Sequence, residues 1–279
     1  MGHPIHRIST IARPVEPKYP TNLAILIVMG VCGTALCITA LVRGAPAGDA
    51  ALAGLYGALV VFITWALGRE LAPDDNPAAF VALLPIAAVV LLGTSPMLLG
   101  ALLTVGAVRV ANRSVGPPAM LVDRIALVAL AFVVAREGYG WSVGVAVVVS
   151  FVLDAVSSDR ERRGWIFAGL AAAATVGGAV TGEATFAIIS PGPWTIAAIV
   201  VAVAFAAVTA TQPPPQAACD VEAHGDLRRD RVQGGMLVGL VAAAGSLLGG
   251  DVTTQAWGVL WAAMAGVVAT RPLHLRLRG

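Results

Sequence analysis

The sequence predicts an all-α integral membrane protein: a polytopic bundle of about ten short transmembrane helices with both termini in the cytoplasm. Three observations point there. Of 279 residues, 58% are hydrophobic and 12% are charged, about half the ~25% charged residues of an ordinary soluble domain. The charges are also segregated, as in residues 64–80, "TWALGRELAPDDNPAAF", where four charges fall within seven residues between apolar runs. Finally, the arginines sort to one side of a simple threading of those runs.

Crossing a hydrocarbon core of ~30 Å takes about 20 helical residues, with about 17 as a minimum. The runs that qualify or nearly qualify are 22–42, 50–68, 78–93, 97–112, 118–136, 139–155, 164–181, 194–210, 234–250 and 254–270. The first exceeds the ~7–15 apolar residues of a secretory signal, so it reads as a retained span. The third and fourth are short and separated by Gly93-Thr94-Ser95-Pro96. They are expected to form a tight antiparallel pair turning at Thr94-Ser95-Pro96, because proline denies a continuous helix. A re-entrant hairpin there would lower the count to eight. With ten spans and an inside N-terminus, sixteen of the eighteen Lys and Arg residues face the cytoplasm, leaving Arg43 and Arg136 outside. That is the bias expected of inner loops.

The chain divides accordingly into a cytoplasmic tail (1–21), a transmembrane bundle (22–210), a proline-rich charged linker (211–233), two further spans (234–270) and a basic cytoplasmic tail (271–279). The linker, with Pro213 to Pro215 in succession, reads as flexible. The apolar outer stretch Gly182 to Trp194 reads as interfacial. Asn76 followed by Pro77 predicts a helix start, the amide side chain capping and proline at the first helical position. Glycines four apart (Gly178 and Gly182, Gly235 and Gly239, Gly245 and Gly249) suit close helix packing inside one bundle.

The composition also excludes chemistry. His3, His6, His224 and His274 all lie outside the apolar runs, so no imidazole is available for a haem or metal site among the helices. Cys32, Cys37 and Cys219 have no metal or redox spacing. No serine–histidine–aspartate, cysteine–histidine or phosphate-loop arrangement is present. No cofactor, metal or nucleic-acid partner is expected; the partners are the lipid bilayer, a small-molecule substrate and, on the alternative reading, a membrane partner subunit.

What remains is charge close to or inside the spans, where an unpaired one costs about 2.5–3.5 kcal/mol. Arg109 and Arg113 share a helix face, Asp123 and Arg124 lie one to two turns into the fifth span, and Asp154 closes the sixth. With Arg69, Asp74, Asp75, Arg109, Arg113, Asp123, Arg124 and Asp154 toward one side, the sequence predicts a polar cavity open to the cytoplasm. The bland alternative is snorkelling and local pairing at helix ends. Asp123 is too short to snorkel far and is expected to pair with Arg109 or Arg113.

In span number and length the chain is similar to drug/metabolite-type transporters. The two acidic stretches, Asp74-Asp75-Asn76 and Asp154 to Arg160, resemble in kind the Asp-rich motifs of UbiA-type membrane prenyltransferases. That resemblance would imply magnesium diphosphate binding, but the aspartates here lack the helical-turn spacing. The function expected is therefore a small-molecule transporter or binder, with a structural or assembly subunit of a membrane complex as the alternative and a prenyltransferase third.

Overall fold

The computed structural model describes residues 5, 8–91, 93–157, 159–220 and 225–278, with side chains up to 271. Among the described residues the chain is all-helical apart from two two-residue strands. In order come α1 (Pro20–Val42), α2 (Ala47–Leu71), α3 (Asn76–Val81), α4 (Leu83–Leu91), α5 (Leu98–Asn112) and α6 (Leu121–Ala135). Strand β1 (Glu137–Gly138), α7 (Trp141–Val156), α8 (Gly164–Thr181), β2 (Glu183–Ala184) and α9 (Pro193–Ala210) follow, then α10 (Arg229–Ala244), α11 (Gly250–Ala256) and α12 (Gly258–Arg278). Joined end to end, α3 with α4 and α10 with α11 make ten helical units that match the ten expected runs. Five segments, Pro20–Val42, Ala47–Leu71, Gly164–Thr181, Pro193–Ala210 and Arg229–Ala256, are long and apolar enough to cross a membrane.

The breaks have local causes. Pro85 has no N–H to give to the Val81 carbonyl, and the helix is interrupted between the two, at Ala82. Between α10 and α11 the chain tightens into a 3-10 turn over Gly245–Gly249 and leaves it through Gly250 at φ 68°, a conformation glycine adopts without strain. The start of α3 lies one residue earlier than Asn76 suggested. Asp75 is the cap, its carboxylate accepting from Ala78 N–H at 3.3 Å, and Asn76 is already helical.

α2, α5, α7, α10 and α12 carry most of the core, including Leu67, Leu71, Val108, Val147, Phe151, Met236 and Leu260. α5 packs on α10, α7 and α2; α12 packs on α2, α3, α9 and α4. α4 and α5 do not form the tight pair expected of them: α4 lies against α12 and α2 instead. The extended segment before α5 allows this, because Met97 N–H bonds the Ala256 carbonyl and Tyr56 Oη the Pro96 carbonyl, drawing the connection toward α12 and α2. At the periphery, α1 lies along α2 where Gly33 meets Gly54. A Cβ on Gly54 would come within 2.8 Å of the Gly33 carbonyl oxygen, so the two backbones touch. Gly178 and Gly235 likewise contact Phe132 on α6 and Val108 on α5, so small residues serve packing within the chain.

Several buried hydroxyls are satisfied within their own helices. Thr64, Thr104 and Thr175 donate to Val60, Gly100 and Ala171 carbonyls at 2.7–2.8 Å, which removes the penalty of a polar group in an apolar setting. Outside the helices, β1 pairs with β2 in parallel and Phe186 stacks on Trp141 at 5.4 Å. The apolar stretch after β2 thus lies against the bundle end with Phe186 and Ile188 exposed.

Candidate functional site

Charged residues gather where α2, α5 and α7 end and α6 and α10 begin. Two ion clusters form there. In the first, Glu70, 1% exposed, is held by Arg109 Nε at 2.8 Å and Arg13 Nη1 at 3.1 Å, while Asn112 Nδ2 donates to its other oxygen at 3.1 Å. Arg13 also pairs with Asp220, and Arg109 donates to the Ile11 carbonyl at 2.8 Å. The N-terminal tail is thereby strapped across the bundle end.

The second cluster centres on Asp154. Its Oδ1 accepts from Arg113 Nε at 2.9 Å, Arg113 Nη2 at 2.7 Å and Arg231 Nη1 at 3.1 Å. Its Oδ2 has no hydrogen-bond partner and lies 3.8 Å from Arg124 Nη2; Arg124 Nη1 is buried without one as well. Asp159 closes the outer side, accepting from Arg231 Nε and Nη2 at 3.0 and 2.7 Å and from Arg113 Nη1 at 2.8 Å. Asp159 loses hydration here, which alone would raise its pKa. The Arg231 hydrogen bonds and the charges of Arg113 and Arg231 outweigh that and hold it below the usual carboxylate range.

The backbone bends to build this cluster. Arg113 caps α5 at φ 50° and is the single non-glycine residue at positive φ among the described residues. A left-handed arginine is strained by roughly 1–2 kcal/mol, and such strain persists where surrounding contacts over-determine it. Here those contacts are two carboxylates. Arg124 is fixed by donation to the Ala119 carbonyl at 2.8 Å and by the Phe167 ring face at 5.4 Å.

Of the residues picked from sequence, Arg113, Arg124 and Asp154 meet in the second cluster and Arg109 lies in the first. The others do not join them. Asp123 is not paired with Arg109 or Arg113: its Oδ2 accepts from Thr10 N–H at 2.9 Å, Thr10 Oγ1 at 3.1 Å and Met120 N–H at 3.1 Å. It caps its own helix and anchors the tail, satisfied by neutral donors. Asp74 accepts from the backbone of Gln216 and Ala217, at 2.7 Å for the latter, and Asp75 from Thr270 Oγ1. Arg69 bonds Asn22 Oδ1 at 3.1 Å and covers the Trp65 ring. Arginines and carboxylates pair with one another at this end, and the open depression there, about 640 Å³, is lined by Arg228, Arg229, Asp230 and Gln233 rather than by the residues picked from sequence. The depression beside Asp74 and Asp75, lined also by Gln212 and Arg271, holds about 10 Å³, room for about one water.

Glu70, Arg13, Asn112, Asp220 and Arg231 lie outside the cavity the sequence predicts, and Asp159 enters the sequence reading only through the Asp154 to Arg160 stretch. The sequence puts Arg231 in a linker, but α10 begins at Arg229 and carries it inside, 2% exposed. The described residues of the linker make backbone contacts: Asp220 N–H bonds the Ser114 carbonyl, Leu227 N–H the Ala217 carbonyl, and Cys219 N–H the Gly225 carbonyl. Burial pushes the Cys219 thiol pKa up, helped by the charges of Asp220 and Asp226. Among the described residues no group of three or more His, Cys, Asp or Glu side chains is placed to hold a metal. Asp154 and Asp159 are taken up by guanidiniums, unlike the magnesium-binding aspartates that the prenyltransferase resemblance would imply. The histidines lie outside the residues whose side chains are described.

No family model matches the sequence, and neither a curated protein nor a solved structure matches it.

Proposed function

We propose that the chain is a ten-span membrane carrier of a small molecule, with the arginine–carboxylate network as its cytoplasmic gate in the closed state. One observation carries this reading. The ion pairs that join residues before Gly138 to residues after it, Arg13–Asp220, Arg113–Asp154, Arg113–Asp159 and Arg124–Asp154, all lie at the same end of the bundle. At the opposite end the two halves meet through neutral hydrogen bonds, such as Thr94 Oγ1 with Gln255 at 2.7 Å and Glu183 N–H with the Arg136 carbonyl at 2.6 Å. Alternating access needs one half to rock on the other. Ion pairs at one end can be exchanged for substrate charges or water, which a continuous apolar seam cannot.

The test is accessibility. In a chain with Cys32, Cys37 and Cys219 replaced by serine, a cysteine at Ser150, buried in α7, should react slowly with an impermeant maleimide from the cytoplasmic side. Arg113→Gln should accelerate that labelling about tenfold while the protein stays folded. An unchanged rate in folded Arg113→Gln protein would make the network a static buttress and end the carrier reading.

A second reading, a subunit of a membrane assembly, draws on α1, which packs almost wholly on α2 and leaves most of its surface uncovered. It requires purified protein to be monodisperse only with another subunit; the carrier reading expects a stable particle of this chain by itself.

A further inference from the structure

The second cluster has more donors than acceptors. Arg113 and Arg231 each bridge Asp154 and Asp159, and Arg124 lies against the far oxygen of Asp154, so three guanidiniums share two carboxylates. Arg124, with its side chain 4% exposed, keeps Nη1 unpartnered and points Nη2 at an Asp154 oxygen 3.8 Å away that has no hydrogen bond. A buried guanidinium with spare donors signals a missing acceptor. Asp159 is the exchangeable member: its side chain is 40% exposed and sits on the loop between α7 and α8, whereas Asp154 is 1% exposed within α7.

We propose that Arg113, Arg124 and Arg231 form a binding site for a phosphate group, with Asp159 standing in for it when the site is empty. Charge and geometry favour phosphate. If Asp159 swings out, the three arginines and Asp154 leave two positive charges, which match the roughly −1.5 to −2 of a phosphate monoester at neutral pH. A carboxylate would leave one uncompensated. Planar guanidinium forks pair bidentately with phosphate oxygens, and three of them offer the Nε and Nη donors now spent on Asp159 together with those Arg124 leaves unused. The group enters where Asp159 leaves. Assigning the phosphate to the cargo rests on the carrier reading above; binding at the site does not.

The experiment uses the purified full chain in detergent, titrated with inorganic phosphate against chloride at constant ionic strength and read by thermal unfolding. Phosphate should raise the midpoint saturably. Asp159→Asn, which removes the competing charge, should tighten binding about tenfold, and Arg124→Gln should abolish the response. Should Arg124→Gln not be recoverable, Arg124→Lys, which keeps charge without the fork, should weaken binding by a similar factor. A parallel arm presents vesicles of phosphatidylcholine with and without phosphatidic acid. Stabilisation by free phosphate marks a soluble phosphate compound, and stabilisation by phosphatidic acid alone marks a lipid headgroup; both support the site. No response to either in the parent and in Asp159→Asn overturns it, as does a response that survives Arg124→Gln. Because the maleimide test contains no phosphate, the carrier reading and the phosphate site can fail independently.

Discussion

Two aspartates, Asp123 and Asp154, illustrate how neighbours set the weight of a charge. Asp123 faces only neutral donors, so Asp123→Ala should cost about 0.5–2 kcal/mol, the range of a lost helix cap. Asp154→Ala leaves Arg124 facing no carboxylate and Arg113 and Arg231 with Asp159 alone, and should cost roughly 3–5 kcal/mol, as for a broken buried pair. Thermal unfolding of the two variants in detergent should therefore rank Asp154→Ala well below Asp123→Ala. The reverse ranking would remove Asp154 from the centre of the network. Acid should act through Asp159. Its pKa is lower folded than unfolded, so its pairing stabilises fully above the unfolded value of about 4 and is lost as pH falls through the lower folded value. The midpoint difference between the parent and Asp159→Asn should stay constant from pH 8 to 5 and shrink only below about pH 4. Sequence drew attention to Asp123 because a short acidic side chain inside an apolar run looks stranded. It could not show that Thr10, more than a hundred residues away, supplies the donors.

At the scale of the element, helix identity was legible and helix neighbours were not. Apolar length and the proline, glycine and aspartate signals placed all ten units. The fine boundaries moved where a side chain chose its partner, as when Asp75 rather than Asn76 capped α3. The larger change was at α10, whose start moved from 234 to Arg229 and took Arg231 inside. A stretch such as "RRDRVQGG" reads as solvated until Asp154 and Asp159 are known to face it. The contact of α1 with α2 offers a direct test. Gly54→Leu forces side-chain atoms against the Gly33 carbonyl, and overpacking of this kind typically costs 1–3 kcal/mol. Since α1 packs almost solely on α2, that variant should detach α1 while the remaining bundle stays folded. Faster proteolysis between α1 and α2, with the rest of the chain protected, would show this; unchanged proteolysis would mean the glycine contact is dispensable.

For the whole molecule, we propose the threading that puts the charged end, the linker and both tails in the cytoplasm, the arrangement in which sixteen of eighteen basic residues face inward. Reporter fusions within residues 213–231 and at the C-terminus should be active for cytoplasmic reporters and silent for alkaline phosphatase. A cysteine at Ser95, in the extended connection between α4 and α5, should label from outside. Labelling only from the cytoplasm would make the α3–α5 region re-entrant and lower the span count to eight, with the charged end on the same side.

The sequence by itself determined the class, the helical units and the concentration of charge toward one side, because hydropathy and backbone hydrogen bonding are local: a run of apolar residues must satisfy its own N–H and C=O groups wherever it lies. Only the tertiary structure decided which charges meet. Arg113 reaches Asp154 forty-one residues on, and Arg13 reaches Asp220 across most of the chain. Such pairs depend on how helix ends converge, and no local pattern records that. Convergence joined Arg113, Arg124 and Asp154 into one ion network, and it left Arg124 and Asp154 with the unused donors and acceptor on which the phosphate site rests.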